Sequence, residues 1–233
     1  MNLFDHSIIG FINQFSHQSK IFDTIVAEIA ENLLVKGTPI CLAIWWLWFK
    51  PDNEQAKTRT LLITTLIAAM AAEFIAKFLT TVLPFRTRPI LDHSIDFVAP
   101  YSSHGTWYDA LSSFPSDHAT LFFSLAIGVY FVSRKLGLFA IIYTLIVICM
   151  PRIYLGLHYP TDVLAGAIIG LVFTYYVVKP WFVGKVSSKF YNFSETYPQL
   201  FYPAMFLLTF QICSLFSESR QLARMIIDLT KLH

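Results

Sequence analysis

The chain alternates long apolar runs with short polar breaks. Apolar stretches cover roughly 33–49, 61–83, 119–133, 136–150, 163–178 and 200–216. A helix that crosses a bilayer needs about 17–25 predominantly apolar residues, so the shorter runs must borrow a turn from their flanks. Between 119 and 150 the only interruption is Ser133-Arg134-Lys135. Two adjacent cations are costly in hydrocarbon, which makes this tripeptide a tight turn between two helices. Upstream, residues 7–35 mix apolar and polar positions (IIGFINQF, then IFDTIVAEIAENLL). That mixture suits an amphipathic helix lying at the interface and leading into the first span. The pattern predicts an all-α integral membrane protein. It has six transmembrane helices and an N-terminal amphipathic interfacial helix, within one domain over 1–233.

Composition supports this reading. The chain is 55% hydrophobic and 14% charged, with a mean hydropathy of +0.56. A soluble domain carries about 25% charged residues, so a soluble helical bundle of this composition would lack polar surface. The net charge of +2 comes from dispersed basic residues, which gives no footprint for nucleic acid. Their placement instead orients the chain. Lys50, Lys57, Arg59, Arg134, Lys135, Lys179, Lys185 and Lys189 fall on one side of a six-span layout, and an excess of cations marks the cytoplasmic side. Both termini, the long segment 84–117 and the stretch 151–162 then face outward. Arg220, Arg224 and Lys231 in the C-terminal tail run against this bias. The first residues lack a basic flank before an apolar run, so no cleavable leader is expected. Cys41, Cys149 and Cys213 sit apart within apolar runs, which suggests neither a disulfide framework nor a metal site. Gly166 and Gly170 have the spacing that permits close helix packing.

Three polar clusters interrupt this apolar background, all on the outer side. The first is Arg86-Thr87-Arg88-Pro89, the second Pro115-Ser116-Asp117-His118, and the third Arg152, His158 and Asp162 within PRIYLGLHYPTD. Arginine forks suit phosphate oxygens. Ser116 and Thr161 read as helix N-caps, and two helix N-termini aimed at one place favour an anion. His158 and Asp162 are four residues apart, so on one helical turn they share a face. A carboxylate bonded to one ring nitrogen would leave the other free to attack. His118 has no carboxylate at that spacing and is better placed to protonate a leaving oxygen. Together these residues can form a metal-independent phosphoryl-transfer site with a phosphohistidine intermediate. Singly, each has a blander reading: an arginine that snorkels to headgroups, or a solvated histidine at a helix end.

These clusters resemble the type 2 phosphatidic acid phosphatase (PAP2) superfamily of membrane lipid phosphatases. Its signature is Lys-x6-Arg-Pro, then Pro-Ser-Gly-His, then Ser-Arg-x5-His-x3-Asp. Arg88-Pro89, then Pro115, Ser116 and His118, then Arg152, His158 and Asp162 match it. The resemblance implies His158 as nucleophile, Asp162 as its orienting partner and His118 as general acid. Arg88, Arg152 and Ser116 would hold the phosphate. It covers about 77–170, and the six-span layout extends it over most of the chain.

Three positions depart from the signature. Thr81 stands where the family has its lysine. Lys77 lies one helical turn earlier on nearly the same face, about 6 Å deeper. It is a candidate phosphate contact, with Arg86 as the competing substitute and an ion pair with Glu73 as the structural alternative. Asp117 replaces glycine, and its side chain is expected to point away from an anionic substrate or to donate when protonated. Pro151 replaces serine, which removes one hydroxyl from the phosphate.

The stretch FPSDHATLFFS looks like the bacitracin-resistance type of undecaprenyl diphosphatase. The expected substrate is therefore undecaprenyl diphosphate, hydrolysed at the extracytoplasmic face of a bacterial inner membrane. Phosphatidylglycerophosphate, phosphatidic acid and a lipid A phosphate are alternatives, as is transfer to a second lipid. A lipid-binding or transport protein on the same scaffold is the rival class. Transporters gather polar groups near the bilayer midplane, and here they gather at one face. No cofactor is expected, although Asp92, Asp96 and Asp109 leave room for weak metal contacts. Membrane lipids are the expected partners. The segment 90–114, rich in aromatics, would rest at the headgroups or form a lid.

Overall fold

The computed structural model describes residues 2–51, 53–101, 112–179, 183, 187–217, 219, 222 and 225. Among these the regular structure is helical. The amphipathic N-terminal stretch forms three pieces, α1 (Leu3–Asn13), α2 (Lys20–Glu31) and α3 (Leu33–Lys36), rather than one helix. Asn2, Ser19 and Asn32 cap them, each accepting from a backbone N–H in the first turn. Each cap starts a new helix and so breaks the run. The apolar runs form α4 (Thr38–Phe49), α5 (Gln55–Val82) and α6 (Asp117–Val132). They continue as α7 (Arg134–Tyr143), α8 (Met150–Tyr154) and α9 (Pro160–Val177). The described C-terminal helices are α10 (Ser188–Thr196) and α11 (Pro198–Cys213). The 3-10 turn Pro89–Leu91 follows Arg88.

The expected break at 133–135 is present, since Ser133 ends α6 and starts α7. The helices α7 and α8 form one rod, joined through a π-helical stretch at Thr144–Cys149. Pro151 lacks the N–H that would close the normal ladder, and a helix accommodates such a defect by locally widening. Among the described residues, three helices are long and apolar enough to cross a membrane: Gln55–Val82, the rod Arg134–Tyr154, and Pro160–Val177. Thr38–Phe49 and Asp117–Val132 are shorter apolar helices.

Exposure is inverted relative to a soluble bundle. The helices α1 and α2 bury Asp5 and Asp23 and expose Leu3, Phe4, Phe11, Ile21, Phe22 and Ile25. Leu164, Ile168 and Val172 form an exposed stripe on α9. Apolar stripes that face outward belong against lipid. The buried Asp23 accepts from the backbone N–H groups of His17 and Tyr101 and from the Tyr154 hydroxyl, tying α2 to α8 and to the outer segment.

The core centres on α6, which is buried along most of its length between α5 and α9. Small residues permit this. A Cβ on Gly166 would meet the Ser116 carbonyl at 2.4 Å, and one on Gly170 the Thr120 carbonyl at 2.3 Å. The Gly166/Gly170 pair therefore sets the approach of α6 to α9. Cys41 and Cys213, distant in sequence, are adjacent in space with sulfurs 3.3 Å apart; both are free and buried. Sequence spacing could not show that the ends of α4 and α11 meet.

Gly166→Ala is expected to force α6 from α9 at a cost of about 1–3 kcal/mol. That lowers the melting temperature in detergent by about 2–4 °C per kcal/mol. Gly10→Ala, where a Cβ meets nothing within 4 Å, is the control and should leave it unchanged or slightly raised.

Candidate active site

The third polar cluster is shaped by the end of one helix and the start of the next. Arg152 lies inside α8, not in the loop, and is buried. Gly156 closes α8 with φ +69°. The Leu157 N–H donates to the Arg152 carbonyl at 2.9 Å and the Gly156 N–H to the Ile153 carbonyl at 3.1 Å. This is a Schellman turn, which needs a left-handed residue at that position. A Cβ there would also meet the Phe97 ring at 2.6 Å. The chain then reverses through His158 and enters α9 at Pro160, a favoured first helical residue. Tyr159 caps α9, and Asp162 in its first turn accepts from the Tyr159 N–H at 2.8 Å.

His158 is buried, and its Nδ1 faces the Ser113 carbonyl at 2.8 Å. Asp162 Oδ2 is 3.8 Å from the same nitrogen, beyond hydrogen-bond distance. The direct orienting partner is thus a backbone carbonyl, with Asp162 behind it. Burial pushes the His158 pKa down, and the Arg88 charge adds to this, against the opposing influence of the Asp162 and Asp117 carboxylates. The imidazole is therefore neutral at neutral pH.

The segments flanking α5 and α6 carry the other clusters. Ser113 N–H donates to the Arg86 carbonyl at 2.9 Å, and Arg86 N–H to Ser112 Oγ at 3.1 Å. This pairing sets the Ser113 carbonyl over the His158 loop. Ser116 N–H donates to the Asp162 carbonyl at 3.1 Å, which joins the N-termini of α6 and α9. Ser116 Oγ caps α6 by accepting from Ala119 N–H at 3.4 Å. Arg88 Nη1 donates to the Leu157 carbonyl at 2.7 Å, next to His158. Arg152 Nη2 donates to the Ala30 carbonyl in the last turn of α2 at 3.1 Å, and its charge acts on His118.

Arg86 is placed differently from Arg88. Its guanidinium donates to Asp162 Oδ1 at 2.5 Å, Thr161 Oγ1 at 2.8 Å and Asp5 Oδ2 at 2.7 Å, and stacks 4.0 Å above the Tyr159 ring. Asp5 in turn accepts from Thr161 N–H at 2.9 Å. Thr161 is therefore within the first turn of α9 and is not its cap, because Pro160 starts the helix one residue earlier. The anion at the N-terminus of α9 is the Asp5 carboxylate.

The second cluster adds a pair that spacing did not show. Asp117 Oδ1 lies 2.8 Å from His118 Nδ1, so His118 does have a carboxylate, supplied by its immediate neighbour. Asp117 Oδ2 accepts from the Lys77 ammonium, and Glu73 is 3.9 Å from the same group. Thr81 is exposed and donates to the Phe78 carbonyl of its own helix. Asp92 accepts from Ser94 and from the Tyr159 hydroxyl, bonds that hold its carboxyl below the usual range. Asp109 and the aromatics at 102–111 lie outside the described residues.

The model of the PAP2 superfamily matches residues 58–183, more than half of the chain. The chain belongs to the PAP2 superfamily. An undecaprenyl-diphosphatase BcrC of Bacillus subtilis is 30% identical over 169 residues, 72% of this chain and 79% of that protein. A protein named bacitracin transport permease protein BcrC, from Bacillus licheniformis, is 29% identical over 76% of this chain and 79% of its own. A lipid A 4'-phosphatase of Bacteroides thetaiotaomicron is 48% identical over 59 residues, 24% of this chain and 26% of that protein. No solved structure matches the chain.

The signature residues lie together with two groups that sequence inspection missed, the Ser113 carbonyl and the Asp5 carboxylate. A backbone acceptor carries no side-chain signal. Asp5 is separated from Arg86 by 81 positions, and only its place on the buried face of α1 marks it. Asp5→Asn and Arg86→Gln, alone and combined, should show a coupling of about 0.5–3 kcal/mol in mixed-micelle unfolding. Additive effects would show that the N-terminal helix is not tied to the site.

Proposed function

We propose that the chain is a membrane phosphatase that removes the terminal phosphate of undecaprenyl diphosphate at the extracytoplasmic face, through a phosphohistidine at His158. The observation that carries this reading is the contact between His158 Nδ1 and the Ser113 carbonyl. A carbonyl only accepts, so Nδ1 bears the proton and Nε2 keeps its lone pair. That nitrogen attacks the terminal phosphorus as the bond to the bridging oxygen breaks. His118 gives its proton to the leaving oxygen, and water then cleaves the phosphohistidine to release inorganic phosphate. Arg88, Arg152 and the N-terminus of α6 behind Ser116 supply positive potential for the phosphate oxygens. Charge stabilisation by these groups needs no divalent ion.

The choice of lipid follows the BcrC relatives, whose names include an undecaprenyl-diphosphatase. An open groove of about 420 Å³ between Asn2, Leu83, Pro84, Phe85, Arg86 and Phe114 lies beside Arg86. The six-span layout is part of the proposal, with α4 and the short α3, α5, α6, the α7–α8 rod, α9 and α11 as the spans. The cation bias then turns the site away from the cytoplasm of a bacterial inner membrane. A lipid A phosphate is the second reading, favoured by the 48% identity over 59 residues with a lipid A 4'-phosphatase.

Purified protein is expected to release phosphate from undecaprenyl diphosphate faster than from lipid A or phosphatidic acid. Release should persist with chelator and vanish in His158→Ala. Preference for lipid A would move the substrate, and release that survives His158→Ala would remove the nucleophile. Because the His158 pKa lies below its ordinary 6.5, the nucleophile stays neutral until the pH falls under that value. The acid limb of kcat/KM should therefore lie below pH 6.5.

A further inference from the structure

Three side chains next to the nucleophile form a sequence of contacts of their own. Asp117 opens α6 behind the Ser116 cap, where a carboxylate is favoured by the helix dipole. Its Oδ1 accepts from the His118 N–H at 2.8 Å and lies 2.8 Å from His118 Nδ1. Its Oδ2 takes the ammonium of Lys77, which reaches across from α5. Glu73, buried one turn earlier on α5, is 3.9 Å from that ammonium.

A carboxylate beside an anionic substrate is costly. Two like charges about 4 Å apart repel by about 4 kcal/mol at an effective dielectric of about 20. Lys77 offsets that charge, and in doing so directs its own ammonium at Asp117 and not at a phosphate. Because a carboxylate oxygen accepts, His118 must carry a proton on Nδ1. Nε2 is then the ring nitrogen left to exchange a proton with substrate.

We propose that Asp117 and Lys77 are positioning residues for His118. Asp117 fixes the ring with Nδ1 protonated and stabilises the imidazolium. Lys77 keeps Asp117 ionised and aimed. As the phosphorus–oxygen bond breaks, Nε2–H passes its proton to the leaving oxygen and the ring becomes neutral, with Nδ1–H still on Asp117. The proton released when water cleaves the phosphohistidine leaves with the phosphate and solvent, and Nε2 is reprotonated from solvent before the next turnover. The inference rests on the phosphatase reading and gives both residues a role other than direct phosphate contact.

Leaving-group dependence separates this role from the alternatives. Phosphatidic acid expels an alkoxide that needs the proton, whereas p-nitrophenyl phosphate expels a phenolate that does not. Asp117→Asn should lower kcat on phosphatidic acid at least about tenfold, a part of the 10²–10⁴ that a general acid contributes. On p-nitrophenyl phosphate kcat should stay within about threefold, with KM unchanged on both. Lys77→Gln should act in the same direction, and Lys77→Arg should restore activity. A higher KM on both esters would mean direct phosphate binding, and equal kcat losses would mean a merely structural pair. Either result overturns the proposal. In parallel, ¹⁵N-histidine spectra of the full-length protein in bilayers should show His118 protonated at Nδ1, and should change in Asp117→Asn or, if that variant does not fold, in Lys77→Gln. An unchanged spectrum overturns the proposal. If the unaltered protein hydrolyses neither ester, the phosphatase reading is in difficulty and the spectrum alone decides whether Asp117 holds the ring.

Discussion

The guanidinium of Arg86 is the constraint on which the rest of the site depends. It bridges two buried carboxylates, Asp5 on α1 and Asp162 on α9, while stacked on Tyr159. A buried carboxylate is tolerable only when paired and hydrogen-bonded, so neither acid could keep its place without this cation. Asp162 in turn fixes the backbone at Tyr159 and stands behind His158. Asp5 completes the first turn of α9 through Thr161. One fork therefore ties the N-terminal helix α1, the segment after α5 and the His158 loop into a single unit. The two arginines are placed differently: Arg86 holds the loop through Asp162 and Thr161, and Arg88 is bonded beside His158 through the Leu157 carbonyl.

Close helix packing supplies the second half of the geometry. Gly166 and Gly170 allow α9 to lie against the start of α6, and this brings the Ser116 cap and Asp117-His118 to the level of His158. The Schellman turn at Gly156 reverses the chain four residues after Arg152, so that His158 follows in the connection to α9.

Much of this was legible in the sequence, for identifiable reasons. The break at Ser133-Arg134-Lys135 shows because paired cations cannot lie in hydrocarbon. The three polar clusters stand out because their surroundings are so apolar, and their spacing carries the family likeness. What escaped depends on contacts that spacing does not encode. The Ser113 carbonyl is backbone. Asp5 and Asp23 look like the polar face of an interfacial helix, yet they face inward, because the lipid side of such a helix takes the apolar residues. Thr161 has the side chain of a cap, but Pro160 opens the helix one residue earlier. His118 has no carboxylate at helical spacing, and its partner is its immediate neighbour Asp117. The division of the N-terminal stretch into three helices reflects Ser19 and Asn32, whose capping bonds outweigh a continuous amphipathic pattern.

A covalent trap tests the histidine mechanism most directly. The purified protein would be mixed with undecaprenyl diphosphate labelled in its terminal phosphate, quenched within one turnover, and mapped for bound label. Acid-labile, base-stable phosphate on His158, formed and lost at rates compatible with turnover and absent in His158→Ala, is the expected result. Turnover with no protein-bound label at any quench time, or label on a residue other than His158, would contradict a histidine nucleophile at this site.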